Sequence, residues 1–263
     1  MSSKRILLVD DIEMNLVIVQ EMLHDWNLEL VSARNGKEAV QQTGCQKFDL
    51  ILMDIQMPVL NGMEATSVIR MDLSNPNCRV PIIAISANAN ESERISYLEA
   101  GMNDVLAKPF TADELYMVIA GYMQIPVPEI PFLHSSDQPM TKGLQAEIDL
   151  TYLLRIGRDN RAFVGMMLHS FRDSASEITG EMEQALEKQD WHTTARLVHK
   201  LKFALHVMGA GSLDEEVKWL ETNTRQQSQD NDRELLSRTG AFINTIKELH
   251  RHTCELIDSG EWS

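Results

Sequence analysis

Phe48-Asp49-Leu50-Ile51-Leu52-Met53-Asp54 decides how this chain folds. The apolar run inside it has the length of a buried strand, and the strand closes on a carboxylate. Working outward, Arg5-Ile6-Leu7-Leu8-Val9 is a second such run and ends in Asp10-Asp11. Pro81-Ile82-Ile83-Ala84-Ile85 ends in Ser86, and Val105-Leu106-Ala107 ends in Lys108-Pro109. Four strands therefore finish in an acid pair, an acid, a hydroxyl and a lysine. In an open parallel sheet, sites form outside the carboxyl ends of the strands. Three carboxylates crowded there repel one another. A hard divalent cation and one lysine relieve them, which is the equipment for moving a phosphoryl group onto a carboxylate.

Strands are predicted near 5–9, 28–33, 48–53, 81–85 and 103–107. Helices are predicted near 12–25, 35–45, 61–73, 90–100 and 111–123. This alternation implies an α/β unit, a doubly wound five-stranded parallel sheet with helices on both faces and right-handed crossovers. Asn35-Gly36 and Asn61-Gly62 mark turns or helix entries. Thr111 with Glu114 has the spacing of a capping box for the last helix of this half.

Residues 1–123 form this first domain, and 124–147 change character. Ile125-Pro126-Val127-Pro128-Glu129-Ile130-Pro131 is incompatible with helix interior. This stretch reads as a semi-rigid linker, with a docking peptide as its functional alternative. Residues 148–258 read as an all-α helical bundle followed by a tail at 259–263. Helices are expected at 149–156, 160–174, 176–188, 191–208, 212–227 and 231–257.

The net charge is −15, and both halves carry more acidic than basic groups. That balance argues against a bulk nucleic-acid footprint. No apolar stretch approaches the roughly 18 residues of a membrane span. Met1 to Arg5 leads straight into a strand, so neither a signal peptide nor membrane insertion is expected. The same start favours a separate protein over the end of a larger one. Cys45, Cys78 and Cys254 are scattered and odd in number, which suits a reducing cytoplasm and offers no zinc pattern.

At the first candidate site, Asp54 is the proposed nucleophile, attacking phosphorus to form an acyl phosphate. The ligands of an octahedral Mg²⁺ would be Asp11, Asp54 and the backbone carbonyl of Gln56, with Asp10 holding a coordinated water. Ser86 and Lys108 would hold the remaining phosphoryl oxygens. Singly, each residue has a plainer explanation: Asp10-Asp11 a cap, Ser86 a turn residue, Lys108 a surface lysine. Together, at the ends of four strands, they favour chemistry. A cis Lys108–Pro109 bond is compatible with the sequence.

The second candidate lies among eight histidines. His24, His134, His192, His250 and His252 read as solvated or core imidazoles. His199 differs. Leu197, Leu201 and Leu205 form one stripe toward the bundle, and His199 lies about 200° from Leu197 at about 100° per residue, so it is expected to point outward. Lys202 shares its face. A neutral imidazole is a competent nucleophile, and a lysine balances an added phosphoryl charge. His206 shares the face as a weaker candidate.

These residues carry two resemblances. Leu8-Val9-Asp10-Asp11, Asp54-Ile55-Gln56-Met57-Pro58, Asn61-Gly62, Ser86-Ala87, Gly101-Met102-Asn103-Asp104 and Lys108-Pro109 resemble response-regulator receiver domains, most closely those attached to hybrid sensor kinases. This implies a flavodoxin-like five-stranded fold and phosphorylation of Asp54 with Mg²⁺. Ala195-Arg196-Leu197-Val198-His199-Lys200-Leu201-Lys202, followed by Met208-Gly209-Ala210-Gly211-Ser212-Leu213, resembles a histidine phosphotransfer (HPt) domain. This implies His199 as the phosphorylated residue and Lys202 as its charge balance.

Two positions depart from the patterns. Receivers usually carry an aromatic residue three positions before the lysine, where this chain has Val105. HPt domains usually carry a small residue after the lysine, where this chain has Phe203, expected on the His199 face as a docking anchor or an obstruction.

The resemblances imply a cytoplasmic two-component phosphorelay protein, a phosphotransfer protein rather than a turnover enzyme. Its partners would be a sensor histidine kinase or hybrid kinase and other receiver or HPt proteins. The competing reading is a phosphorylation-controlled binding module with an inert helical bundle. A third is a metal-dependent phosphohydrolase, disfavoured because Gln56 stands where a proton-donating acid is needed.

Overall fold

The computed structural model describes residues 3–87, 90–125, 148–225 and 232–262, and the linker expected over 124–147 lies almost wholly outside them. The chain divides into two compact units, residues 1–135 and 136–263.

In the first unit the order is β1 (Lys4–Val9), α1 (Glu13–Met22), β2 (Leu28–Ala33), α2 (Gly36–Cys45), β3 (Leu50–Asp54), α3 (Gly62–Met71), β4 (Ile82–Ser86), α4 (Glu91–Glu99), β5 (Asp104–Ala107) and α5 (Ala112–Met123). The five strands are all parallel in the order β2-β1-β3-β4-β5. Every residue of β3 and of β4 is buried, as a sheet covered on both faces requires. The strand order reverses between β1 and β3, and a crevice forms at the carboxyl ends of those two strands.

The helix starts are chemically fixed. Asn61 with Glu64, and Thr111 with Glu114, form capping boxes, so the spacing at Thr111 was correctly readable. Gly62 is required by space. A Cβ there would sit 2.2 Å from the Asp54 carbonyl oxygen, and the Gly62 N–H donates to the Ile55 carbonyl. The start of α3 is thus pressed against the backbone of Asp54.

The second unit holds α6 (Thr151–Ile156), α7 (Arg161–Glu187), α8 (Trp191–Val207), α9 (Asp214–Arg225) and α10 (Asp232–Asp258). Helix α7 packs on α8 and α10, and α9 packs on α8 and α10. Phe171, Met182, Leu201, Leu220, Phe242 and Ile246 are among its buried core residues. The two helices expected at 160–174 and 176–188 are one helix of 27 residues. Nothing between them breaks a helix, and Ala175 and Thr179 continue the buried face. Helix α8 stops at Gly209, whose φ of 75° is left-handed, with the Gly209 and Ala210 N–H groups donating back to His206 and Leu205.

Candidate functional site

The first site sits at the crevice. Asp10 and Asp11 follow β1 directly, Asp54 is the last residue of β3, Ser86 the last of β4, and Lys108 follows β5. Carboxylate oxygens of Asp10, Asp11 and Asp54 all lie within 4.8 Å of one another. The Lys108 ammonium donates to Asp10 at 2.7 Å and to Asp54 at 3.1 Å. Its peptide bond to Pro109 is cis. The Lys108 N–H donates to the Ser86 carbonyl at 2.7 Å, which ties the end of β4 to the turn after β5. Gln56 is exposed on the loop after β3.

The electrostatics show a pocket short of positive charge. Burial pushes the Asp54 carboxyl up to about 7, because lost hydration outweighs the Lys108 ammonium and the Asp10 and Asp11 charges add repulsion. Burial acts to lower Lys108, but Asp10 and Asp54 more than reverse it, so its ammonium is held well above the usual lysine range. These two shifts agree physically. One ammonium is shared among several acids and sits closer to Asp10, which leaves Asp54 undercompensated. Oxygen donors at this spacing, with an unmet negative charge, fit a hard divalent cation such as Mg²⁺.

Two residues of this site escaped the sequence reading. Asn15, buried on α1, donates from its amide to both Asp10 oxygens, at 2.9 and 3.0 Å. A polar residue on the covered face of α1 was the available signal. Tyr97 on α4 lies 3.0 Å from the Ser86 hydroxyl, and both are buried. Val105 is half-buried against the core cluster that includes Tyr97.

The second site lies between α8 and α9. The His199 Nδ1 is 3.0 Å from Glu221 Oε1, and the Lys202 ammonium donates to Glu221 Oε2 at 3.2 Å. Glu221 is 4% exposed. Burial acts to raise its carboxyl, but the His199 ring and the Lys202 ammonium prevail and hold it below the usual range. Glu221 is therefore ionised and can only accept, so the ring proton sits on Nδ1 and a neutral ring keeps its lone pair on Nε2.

Three expectations for this face are corrected. His199 does not point freely outward, since its side chain is only 9% exposed. Phe203 is neither an exposed anchor nor a surface obstruction, being 2% exposed. His206 is buried too, its Nδ1 lacking a hydrogen-bond partner and lying 3.9 Å from Asp214. The stripe arithmetic considered one covered side of α8, whereas α8 is flanked by both α7 and α9. Glu221 itself, 22 residues beyond His199, belongs to no motif that would have announced it.

Comparison with known proteins agrees with this division. Residues 6–120 match the model of the response regulator receiver domain, and residues 166–252 match that of the Hpt domain. Sensor protein GacS of Pseudomonas syringae pv. syringae is 29% identical over 93% of this chain and 27% of its own length. Signal transduction histidine-protein kinase BarA of Escherichia coli K12 is 26% identical over 92% of this chain and 26% of its own. Transcription factor SKN7 of Saccharomyces cerevisiae is 36% identical over 51% of this chain and 21% of its own. The chain spans about a quarter of the length of the full-coverage relatives.

Proposed function

Because this chain carries a response regulator receiver domain followed by an Hpt domain, we propose that it is a phosphorelay protein with Asp54 and His199 as its two phosphoryl carriers. The observation that carries the reading is the Lys108 ammonium bridging Asp10 and Asp54 beside a third carboxylate. In the first step an Asp54 oxygen attacks phosphorus, the P–O bond to Asp54 forms, and the bond to the donor's leaving group breaks with its electron pair. Lys108 neutralises one phosphoryl oxygen, and Ser86 donates to another. Asp11, Asp54 and the Gln56 carbonyl would hold Mg²⁺ directly, with Asp10 acting through a water. The cation would supply charge neutralisation on the transferring group.

In the second step the His199 Nε2 attacks the phosphorus of a receiver's aspartyl phosphate, the P–N bond forms, and the acyl P–O bond breaks with its electron pair returning to the carboxylate. Glu221 holds the Nδ1 proton and thereby fixes the ring's tautomer and orientation, and Lys202 balances the added charge. The partners would be a sensor histidine or hybrid kinase and other receiver or HPt proteins. A cytoplasmic setting fits this chemistry, and no helix among the described residues is long and apolar enough to cross a membrane.

The 9% exposure of the His199 side chain favours a second reading, in which the bundle binds partners without carrying phosphate. One experiment separates the two. The full chain is incubated with Mg²⁺ and radiolabelled acetyl phosphate, alongside Asp54→Asn and His199→Gln. The relay predicts base-labile label on Asp54, then base-stable, acid-labile label on His199, both lost in Asp54→Asn. Label that stops at Asp54 selects the binding module. Labelling unchanged in Asp54→Asn overturns the assignment of Asp54.

A further inference from the structure

The first turn of α1 grips Asp10 from two directions. The Ile12 N–H donates to Asp10 Oδ1 at 2.9 Å, and the Asn15 amide nitrogen lies 2.9 and 3.0 Å from the two Asp10 oxygens. The amide has one chemically sound orientation, because turning it over would set its oxygen against a carboxylate. In that orientation the Asn15 carbonyl oxygen is buried and has no hydrogen-bond partner. An unmet buried acceptor destabilises a fold, and an apolar side chain on this covered face of α1 would avoid it. What Asn15 supplies in return is the grip on Asp10.

That grip reaches Lys108. Rotation of a carboxylate about its last bond is soft, so Asp10 by itself would not fix where its charge points. With Ile12 on Oδ1 and Asn15 across both oxygens, Oδ2 faces the Lys108 ammonium at 2.7 Å. The distance from the ammonium to Asp54 is longer, 3.1 Å. A lysine stem is flexible, and Asp10 is the nearer of the two acids that hold its tip. Asn15, Asp10 and Lys108 are all buried, so water offers little to replace these contacts.

We propose that Asn15 is a positioning residue for the chemistry at Asp54: acting through Asp10, it aims the Lys108 ammonium at the incoming phosphoryl group. The inference rests on the reading of Asp54 as phosphoryl acceptor. An ammonium has three N–H donors, and Asp10 and Asp54 take two of them. A phosphoryl oxygen takes the third. Once Asp54 carries the phosphoryl group, its attacking oxygen has become an acyl ester oxygen and holds a cation poorly. Asp10 keeps its full charge, so the lysine stays anchored on the side that Asn15 fixes.

The test uses the full chain and Asn15→Leu, which keeps the branched shape and removes the amide together with its unmet carbonyl. With saturating Mg²⁺, single-turnover loading of Asp54 by acetyl phosphate is expected to slow about tenfold, the size of effect that misplacing a reacting group brings. Binding of beryllofluoride, a phosphoryl mimic titrated by calorimetry, should weaken to a similar degree. In a Lys108→Met background the same substitution should change either quantity by less than about twofold, because the group it acts through is gone. A third readout needs no metal, no phosphoryl donor and no second variant. In the Mg²⁺-free chain the ¹³Cε signal of Lys108 should shift or broaden in Asn15→Leu, a change that lost stability alone does not bring. Unchanged loading and binding in Asn15→Leu overturn the proposal, as does a loss of equal size in the Lys108→Met background or an unmoved Lys108 signal. Failure of the parent to load or to bind beryllofluoride, or equal labelling of Asp54→Asn, is a distinct result that removes the Asp54 reading and this inference with it.

Discussion

The Asp54 pocket and the His199 site solve opposite problems. In the pocket, acids outnumber the one ammonium among the described residues, and Asp54 is driven toward its protonated form. At His199 the buried carboxylate of Glu221 has two nitrogen partners and is stabilised in its charged form. The pocket is built for a cation and an anion still to come. The histidine site is already internally matched, and only its Nε2 is left for chemistry. A group that must accept and release phosphate quickly can be prepared either way, by tension relieved on loading or by orientation set in advance.

The contrast breaks most visibly at Lys108. Lys108→Met leaves Asp10 and Asp54 buried without their shared cation, which costs about 3–5 kcal/mol when a buried pair is broken. The expected drop appears in denaturant unfolding of the Mg²⁺-free chain at neutral pH and shrinks when Mg²⁺ is added. A loss below about 1 kcal/mol, the range of an exposed ion pair, would show that the pocket is not under charge tension.

At the other site, Glu221→Ala frees the ring to rotate and to place its proton on either nitrogen. Loading of His199 should slow by about ten- to a hundredfold, as misplacement of a reacting group does, while loading of Asp54 stays unchanged. Single-turnover transfer measures both. An unaltered rate would mean that the carboxylate merely fills space.

The smallest effect concerns protons. Asp54 must be ionised to bind a cation, and its carboxyl sits at about 7. Mg²⁺ affinity should therefore rise by about tenfold per pH unit below 7 and level off above it. The stability of the Mg²⁺-free chain has the matching sign. The folded value lies above the unfolded one, near about 3.9, so the folded state holds the extra proton between them. Stability falls as pH rises from about 4 to 7. A magnesium isotherm that is flat between pH 6 and 8 would contradict the buried, undercompensated carboxyl.

The pocket was legible because its residues stand at strand ends, and the alternation of strands and helices places strand ends together whatever the distance in sequence. Asp10, Asp54, Ser86 and Lys108 needed only that rule. Tyr97 and Glu221 did not obey it. Each comes from a neighbouring helix, and its arrival depends on how that helix is packed. His199 shows the same limit from the other side. Periodicity located the stripe of Leu197, Leu201 and Leu205, but it cannot report that α9 also covers α8. The division of α7 at residue 175 had no helix-breaking residue behind it, and the buried face of the helix runs through Ala175 and Thr179 without interruption.

The sharing of one lysine between Asp10 and Asp54 also sets the input logic of the pocket. With acids in excess of base, an arriving dianion meets a field of its own sign and is turned away. A divalent metal bound first would offset the two excess acids and open the way for the anion. The pocket would thus take its two ions in a fixed order, with the anion admitted only where the cation has already settled.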